Sequence, residues 1–196
     1  MFLGEHDYFD KRWIYEECFR MPFLARLPGT IPQGSVNAQH LCSNLDFAQT
    51  LLEFAEVNEA PEIKKMQGHS LRDLLAGETP DKWRDAVYYR YWMHLAHHHI
   101  PGHYGVRDGR YKLAFFYGLP LDASLGKGTF PPSTAGWELY DLKADPQETN
   151  NVYQDPEYAP IVKHLKQRLL ELKNEYGDRD EDYPKLLELR ETHWGS

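Results

Sequence analysis

Charged side chains that could carry chemistry crowd the N-terminal end of the chain. They stand in the runs Gly4-Glu5-His6, Phe9-Asp10-Lys11-Arg12 and Tyr15-Glu16-Glu17. Lysine is a compact point charge that can hold an oxyanion, and histidine can transfer protons near neutral pH. These residue types are therefore compatible with a polar reaction site. On residue types alone, a solvated charged turn explains them more simply.

A second cluster consists of histidines, namely His94, His97, His98, His99 and His103. Histidine is a common zinc ligand. His94 and His98 would share one face of a helix because they are four residues apart. No glutamate follows His94, so the His-Glu-x-x-His zinc motif is not present. A polar loop explains the cluster about as well as a metal site does.

The composition is that of an acidic globular protein, with 41% hydrophobic residues, 27% charged residues and a formal net charge of −8. We expect no nucleic-acid partner, because no basic surface is available to displace counterions. No run is long and apolar enough to predict a membrane span, and the first residues lack the basic and apolar regions of a signal peptide. Cys18 and Cys42 fix neither a disulfide framework nor a zinc motif, so the compartment stays open.

The first part of the chain shows one strand-like stretch and two helix patterns. Residues 22–27 are apolar and stop at a Pro-Gly pair, which is typical of a short strand. Ser43 and Asp46 form a near capping box before an apolar stripe, and they predict the start of a helix. A second short helix is predicted over 70–75. We place a domain boundary near Thr79-Pro80.

The second part of the chain predicts a small β-sheet followed by a helix. The strand-like stretches are 86–92, 104–106, 111–117 and 137–142. Asp108-Gly109 is a strong hairpin signal between the middle two. Asp155 is expected to cap a long amphipathic helix that Gly177 ends. The remaining tail is charged and weakly patterned, and no further element is predicted there.

The order of these motifs strongly resembles that of the sulfatase family. The N-terminal matches are Gly4-Glu5-His6, Lys11, Tyr15-Glu16-Glu17 and Pro28-Gly29. Later stretches look like the C-terminal domain of N-sulfoglucosamine sulfohydrolase-type sulfatases; they are His103-Tyr104-Gly105-Val106-Arg107, Trp137-Glu138-Leu139-Tyr140-Asp141-Leu142 and Asp145-Pro146-Gln147-Glu148. The resemblance implies an α/β fold. The C-terminal end of an alkaline-phosphatase-like domain would span 1–80. A small antiparallel β-sheet with a packed C-terminal helix would span 81–177, and a charged tail 178–196.

The resemblance also implies roles for individual side chains. Lys11 matches the family lysine that holds a sulfate oxygen, where a fixed cation stabilises the charge that builds during sulfate-ester cleavage. His6 falls in the Gly-Glu-His motif and is expected to be the second catalytic residue. Asp7 stands where the family usually has glycine. The loop before the hairpin would reach the cleft and contact a sulfated substrate, and the substrate-binding residues are expected to be His98, His99, His103 and Arg107.

The departures from the family pattern concern the nucleophile and the metal. Sulfatases convert a Cys or Ser within Cys-x-Pro-x-Arg to formylglycine, and neither Cys18 nor Cys42 is followed by that pattern. Both are expected to be buried or partly buried small apolar residues. The aspartates that begin the family's calcium site are not recognisable either. We expect no metal or other cofactor in this chain, and Ca²⁺ and formylglycine only in a full-length relative.

The sequence therefore indicates a C-terminal fragment of a sulfatase that hydrolyses sulfate esters or N-sulfates of carbohydrates. By itself the fragment is expected to be inactive, because the covalent route requires the nucleophile. Two alternatives stay open. One is a non-catalytic accessory or binding module from a truncated gene. The other is a fragment of a phosphoester or phosphonate hydrolase of the same superfamily.

Overall fold

Two compact units make up the chain in the computed structural model, which describes residues 1–57, 65–96, 98–121 and 130–195. One unit combines residues 1–21 with residues 88–196, and the other comprises residues 22–87. The domain limits predicted from the sequence, which are 1–80, 81–177 and 178–196, stay a prediction.

A four-stranded sheet with the order β1-β2-β3-β4 is the centre of the larger unit. Its strands are β1 (Ala86–Tyr91), β2 (His103–Asp108), β3 (Tyr111–Phe116) and β4 (Gly136–Asp141). β2 and β3 form the expected hairpin around Asp108-Gly109, and both β2 with β3 and β3 with β4 pair antiparallel. Leu113 of β3 faces Val106 on one side and Leu139 on the other, and all three are completely buried.

The long helix α4 (Ala159–Glu175) packs against β2 and β3. Its buried leucines follow the predicted stripe and are Leu165, Leu169 and Leu172. Asp155 caps the preceding turn by accepting the Glu157 N–H at 2.9 Å, as the sequence predicts. The small antiparallel sheet with its packed helix is therefore confirmed.

The N-terminal segment packs on this sheet through aromatic and aliphatic side chains. It carries the short helix α1 (Glu16–Phe19) and a 3-10 turn at Glu5–Asp7. Its core residues join Tyr91, Phe116 and Tyr140 in one hydrophobic cluster; they are Phe2, Trp13, Ile14 and Tyr15. Burial of rings of this size dominates the packing energy of a small domain. The charged N-terminal run is therefore held on a rigid support.

The smaller unit contains α2 (Asp46–Phe54) and α3 (Arg72–Ala76). Asp46 accepts the Ser43 N–H at 2.7 Å, which is the reciprocal half of the expected capping box. Residues 22–27 run without regular structure, so the predicted strand is not observed among the described residues. A strand requires a neighbour for its backbone groups, and no described strand pairs with this stretch.

The charged tail forms an element that the sequence pattern does not predict, α5 (Pro184–His193), after a 3-10 turn at Asp180–Asp182. Ionic contacts attach it to the sheet unit, because Asp180 is completely buried and lies 2.9 Å from the Lys173 ammonium and 2.8 Å from the Arg190 guanidinium. Leu186 is also completely buried. Buried charge pairs leave no hydrophobic periodicity in a sequence, which is why the helix was not predicted.

Candidate functional site

One buried carboxylate, that of Asp10, organises the basic residues of the N-terminal segment. Its Oδ1 accepts the backbone N–H groups of Lys11 at 2.5 Å and of Arg12 at 2.9 Å. Its Oδ2 lies 2.5 Å from Nη1 of Arg12 and 3.6 Å from Nε2 of His98. The Asp10 side chain is only 3% exposed. The hub therefore fixes the backbone at Lys11 and brings the histidine loop to the same place.

The side chains around this hub are open to solvent. Lys11 and His99 are exposed, and the side chain of His98 is 56% exposed. Within the described ranges, the Lys11 ammonium has no ion-pair partner. Cations fixed at their backbone but free at their tips can bind an oxyanion without first breaking an internal salt bridge. The structure thus brings together two of the residues expected from the sequence, Lys11 and His98, through their contacts with Asp10; His99 is the exposed neighbour of His98 in the chain.

His6 contacts the loop after β4 rather than the Asp10 hub. Its Nε2 lies 2.7 Å from the carbonyl oxygen of Gln147 and 3.9 Å from a carboxylate oxygen of Glu17. Its ring stacks on Tyr15 with the centroids 5.2 Å apart. These contacts position the Gly-Glu-His turn against the sheet. A catalytic role of His6 stays a prediction.

His103 belongs to the core of the sheet unit. Its ring is completely buried and lies with its centroid 4.9 Å from Phe116 and 6.0 Å from Trp13. Nδ1 is 2.8 Å from the carbonyl oxygen of Pro101. Burial lowers the pKa of His103 to about 4, which keeps the imidazole neutral at physiological pH. Direct substrate contact through His103 stays a prediction, and in this structure no atom of its ring is accessible.

Arg107 lies at the other end of β2, four residues beyond His103. Four strand residues span about 13 Å. The Arg107 guanidinium donates to the Asp108 carbonyl at 2.7 Å and lies 3.4 Å from a Glu16 oxygen. Lys112 joins the same group, because its buried ammonium is 2.9 Å from both Glu16 and Glu148. Arg107 is therefore separated from the histidines with which it was grouped.

The histidine segment does not form a zinc site in the part of the chain that the structure describes. His94 is buried, with Nε2 2.9 Å from the carbonyl oxygen of Pro131 and Nδ1 accepting the Gly102 N–H at 3.1 Å. Both ring nitrogens are thus already used. His97 lies outside the described residues. Across 1–57, 65–96, 98–121 and 130–195, no three or more His, Cys, Asp or Glu side chains are placed to hold a metal ion.

Cys18, Cys42 and Asp10 do not fit formylglycine or Ca²⁺ chemistry, and the expectation that this chain holds neither group stays a prediction. Cys18 is buried and its Sγ donates to the Asp10 carbonyl at 3.2 Å. Cys42 is exposed, so the expectation that it is at least partly buried is wrong. The Asp10 carboxylate is occupied by two backbone amides and two basic side chains, which leaves no free pair of oxygens for a hard cation.

Asp10 is the residue that the sequence interpretation missed. It stands inside the quoted run Phe9-Asp10-Lys11-Arg12, yet no role was given to it. The available signal was the spacing of Asp10 and Arg12, because residues two apart in an extended segment point to the same side. Its contact with His98 could not be read from the sequence, since these residues are distant along the chain.

The chain is similar to proteins of known family. Residues 4–175 match the family described as N-sulphoglucosamine sulphohydrolase, C-terminal. The chain belongs to the sulfatase family. It is 43% identical over 183 residues to N-acetylglucosamine-6-O-sulfatase from Bacteroides thetaiotaomicron, a match that covers 92% of the chain and 30% of that protein. It is 30% identical to a Delta 4,5-hexuronate-2-O-sulfatase from the same organism, over 76% of the chain and 27% of that protein.

A solved sulfatase structure supports the same conclusion about the fold. The structure of BT4656 in complex with its substrate D-glucosamine-2-N,6-O-disulfate superposes with a TM-score of 0.75 at 42% identity, over 91% of this chain and 33% of that one. The alkaline-phosphatase-like sulfatase assignment is thereby confirmed. The chain corresponds to the C-terminal portion of such enzymes and spans about a third of the length of the relatives it matches. None of its described helices could span a lipid bilayer.

Proposed function

We propose that this chain forms one wall of the active-site cleft of a carbohydrate sulfatase, with Lys11 as the sulfate-binding cation. The observation that carries the proposal is the Asp10 hub. The Asp10 carboxylate accepts the Lys11 backbone N–H at 2.5 Å and lies 3.6 Å from Nε2 of His98. A basic triplet presented by one buried acid is suited to a substrate that carries both a sulfate and sugar hydroxyls.

The chemistry assigned to this chain is binding and charge stabilisation. Cleavage of a sulfate ester increases negative charge on the sulfate and leaving-group oxygens, and a fixed ammonium stabilises that charge in the transition state. Arg12 is tied to Asp10 and can offer its remaining N–H groups to sugar oxygens. His98 lies 3.6 Å from the same acid and is 56% exposed, so its ring can donate or accept a hydrogen bond there; His99, the next residue, is exposed as well.

The relatives suggest the substrate class. One is named for action on N-acetylglucosamine 6-O-sulfate, and one structure contains D-glucosamine-2-N,6-O-disulfate as its substrate. We infer that a sulfated amino sugar is the substrate of the enzyme to which this chain contributes. The identity above 40% over nine-tenths of the chain supports this class over phosphoesters.

The proposal can be tested in a chimera. This chain would replace the matching C-terminal portion of the Bacteroides N-acetylglucosamine-6-O-sulfatase, and kcat/KM would be measured on N-acetylglucosamine 6-sulfate. Lys11→Ala should lower kcat/KM roughly a hundredfold or more, as loss of one oxyanion contact does. Lys11→Arg should also fail, because a planar fork does not replace a point charge.

The matched control is Lys163→Ala, which removes an exposed lysine from α4 and should leave kcat/KM unchanged. Equal activity of the Lys11 and Lys163 variants would contradict the sulfate-binding role. A folded chimera that cleaves a phosphonate monoester faster than the sugar sulfate would favour the phosphonate alternative. A folded chimera without any turnover would favour an accessory module.

A further inference from the structure

A second basic concavity lies in the sheet unit, where α1, the β2–β3 hairpin and the turn after β4 meet. Its volume is about 290 Å³. Four basic residues from these three segments line it, together with Glu16 and Leu142; they are Arg20, Arg107, Arg110 and Lys143. Four cations in one pocket are unexpected in a chain whose net charge is −8. Such a pocket is suited to bind an anion.

The acids near this pocket are already paired. Glu16 lies 2.9 Å from the buried Lys112 ammonium and 3.4 Å from Arg107. Asp141 accepts from Nε and Nη2 of Arg110 at 2.9 and 2.6 Å. The Arg110 guanidinium accordingly lowers the pKa of Asp141, so that this acid stays ionised. The carboxylates thus orient the two guanidinium groups and leave their remaining N–H groups free to bind a ligand.

Arg20 and Lys143 complete the positive charge. Both are exposed, and neither has an ion-pair partner within the ranges that the structure describes. Asp108 uses its Oδ1 to accept the backbone N–H groups of Arg110 and Tyr111, and Glu148 is paired with the Lys112 ammonium. Two oriented guanidinium groups and two exposed cations match a tetrahedral oxyanion, whose oxygens accept several charge-assisted hydrogen bonds.

We propose that this pocket is a second sulfate-binding site, distinct from the Lys11 site. Trp13, two residues after Lys11, stacks on His103 at the start of β2, whereas Arg107 lines the pocket four residues further along that strand. His103 and Arg107 are separated by about 13 Å of strand, so the two sites lie towards opposite ends of β2. One polysulfated oligosaccharide of a few sugar units can span that distance, so the pocket would hold a sulfate remote from the one at Lys11.

The test is fluorescence anisotropy with a labelled polysulfated tetrasaccharide and the 196-residue chain at low ionic strength. Arg20→Gln/Lys143→Gln should weaken binding at least tenfold. The control, Arg26→Gln/Lys163→Gln, removes the same charge from exposed positions elsewhere and should change the Kd by less than about twofold, since exposed charges act weakly at a distance. Equal weakening in the two double variants would overturn the proposal.

Two further arms identify the ligand and separate this proposal from the proposed function. Competition by inorganic sulfate should require a much higher sulfate concentration than competition by unlabelled tetrasaccharide; equal potency would overturn the assignment to a glycan. In a chain that already carries Lys11→Ala, adding Arg20→Gln/Lys143→Gln should still weaken tetrasaccharide binding by the same factor. If Lys11→Ala alone abolished all binding, the second site would be refuted while the Lys11 site stood.

Discussion

At the scale of single residues, the completely buried His103 ring is part of the packing of the sheet unit. Its imidazole is packed among Trp13, Tyr89, Tyr91 and Phe116. Its Nε2 is buried and has no hydrogen-bond partner. A protonated ring in this place would be an unpaired buried charge, so the fold requires the neutral form.

We predict that His103 makes the chain sensitive to mild acid. Its pKa is lowered from 6.5 to about 4, so the unfolded state binds more protons than the folded state between these values. The free energy of unfolding should therefore fall as the pH drops from 6.5 towards 4, by on the order of 3 kcal/mol in total. His103→Phe should flatten this dependence, because a phenyl ring packs similarly but does not titrate.

Urea unfolding at pH 7.5, 6 and 5 would measure the effect. The control is His164→Gln, which removes an exposed histidine from α4 and should retain the slope of the parent chain. An unchanged slope in the His103→Phe variant would show that other groups cause the acid sensitivity. His94 is the first of these to test, since burial lowers its pKa as well.

The sequence predicted part of the site because family motifs are local. Lys11 and His98 were named from the resemblance to such motifs, and the structure places both at one acid, Asp10. Arg107 and His103 were named by the same argument, but the strand that joins them carries one into the core and the other to a distant pocket. Burial depends on contacts such as that of His103 with Trp13, which neither motif contains.

At the scale of elements, α2 depends on a buried ion pair. Asp46 is completely buried and accepts from Nη1 and Nη2 of Arg84 at 2.5 Å each. It also accepts the His69 N–H at 2.8 Å and thereby links α2 to the segment before α3. A helix of nine residues is marginal in isolation, so these contacts determine whether it forms.

Arg84→Ala should destabilise the smaller unit by about 3–5 kcal/mol, because it leaves the Asp46 charge buried without its partner. The matched control is Arg72→Ala. Arg72 pairs with Glu53 at 3.5 Å where both side chains are partly exposed, so its removal should cost less than about 1 kcal/mol. Chemical denaturation followed by circular dichroism would compare them, and equal losses would contradict the role given to Arg84.

Elements with apolar periodicity were predictable and those with ionic cores were not. The leucine stripe of α4 and the Asp108-Gly109 turn were both read correctly from the sequence. α5 was missed because Asp180, Lys173 and Arg190 hold its start in place. The strand over 22–27 was predicted from composition, yet composition does not supply the neighbouring strand that it needs.

At the scale of the whole molecule, the exposed large apolar side chains of the described residues all lie between Met1 and Met66. Among them, Leu24 is 94% exposed and Val36 is 88% exposed. Soluble monomers seldom leave so much apolar surface open, and such surface marks an interaction face.

The chain should therefore self-associate and bind a dye that reports apolar surface. Sedimentation velocity over a range of concentrations should show a rising average mass. Leu24→Ser/Val36→Ser should reduce both association and dye binding, whereas Lys82→Ser, which changes an exposed polar residue, should not. A sharp monomer with no dye binding would contradict the inference that this surface is an interaction face.

Several residues other than glycine have a positive φ angle, in the left-handed region of backbone conformation. Asp7 has φ 60°, His98 has φ 51° and His99 has φ 55°. Asp7 precedes the Asp10 hub in the chain, and His98 lies 3.6 Å from the Asp10 carboxylate. Residues other than glycine are held in this region at a cost of about 1 kcal/mol each. Such conformational strain persists where a side chain is needed for function. His98 and His99 should thus oppose stability while serving the site, whereas Asp7 should oppose stability only.

Glycine substitutions would test whether these residues lower stability and support activity. His99→Gly should raise the free energy of unfolding by roughly 0.5–1 kcal/mol yet lower kcat/KM of the chimera, because it relaxes the backbone and removes a substrate-facing ring. Asp7→Gly, which restores the usual family residue, should stabilise the chain without affecting turnover. Thermal unfolding and kinetics on both variants would measure this. A loss of stability in both would mean that the left-handed turns are not strained.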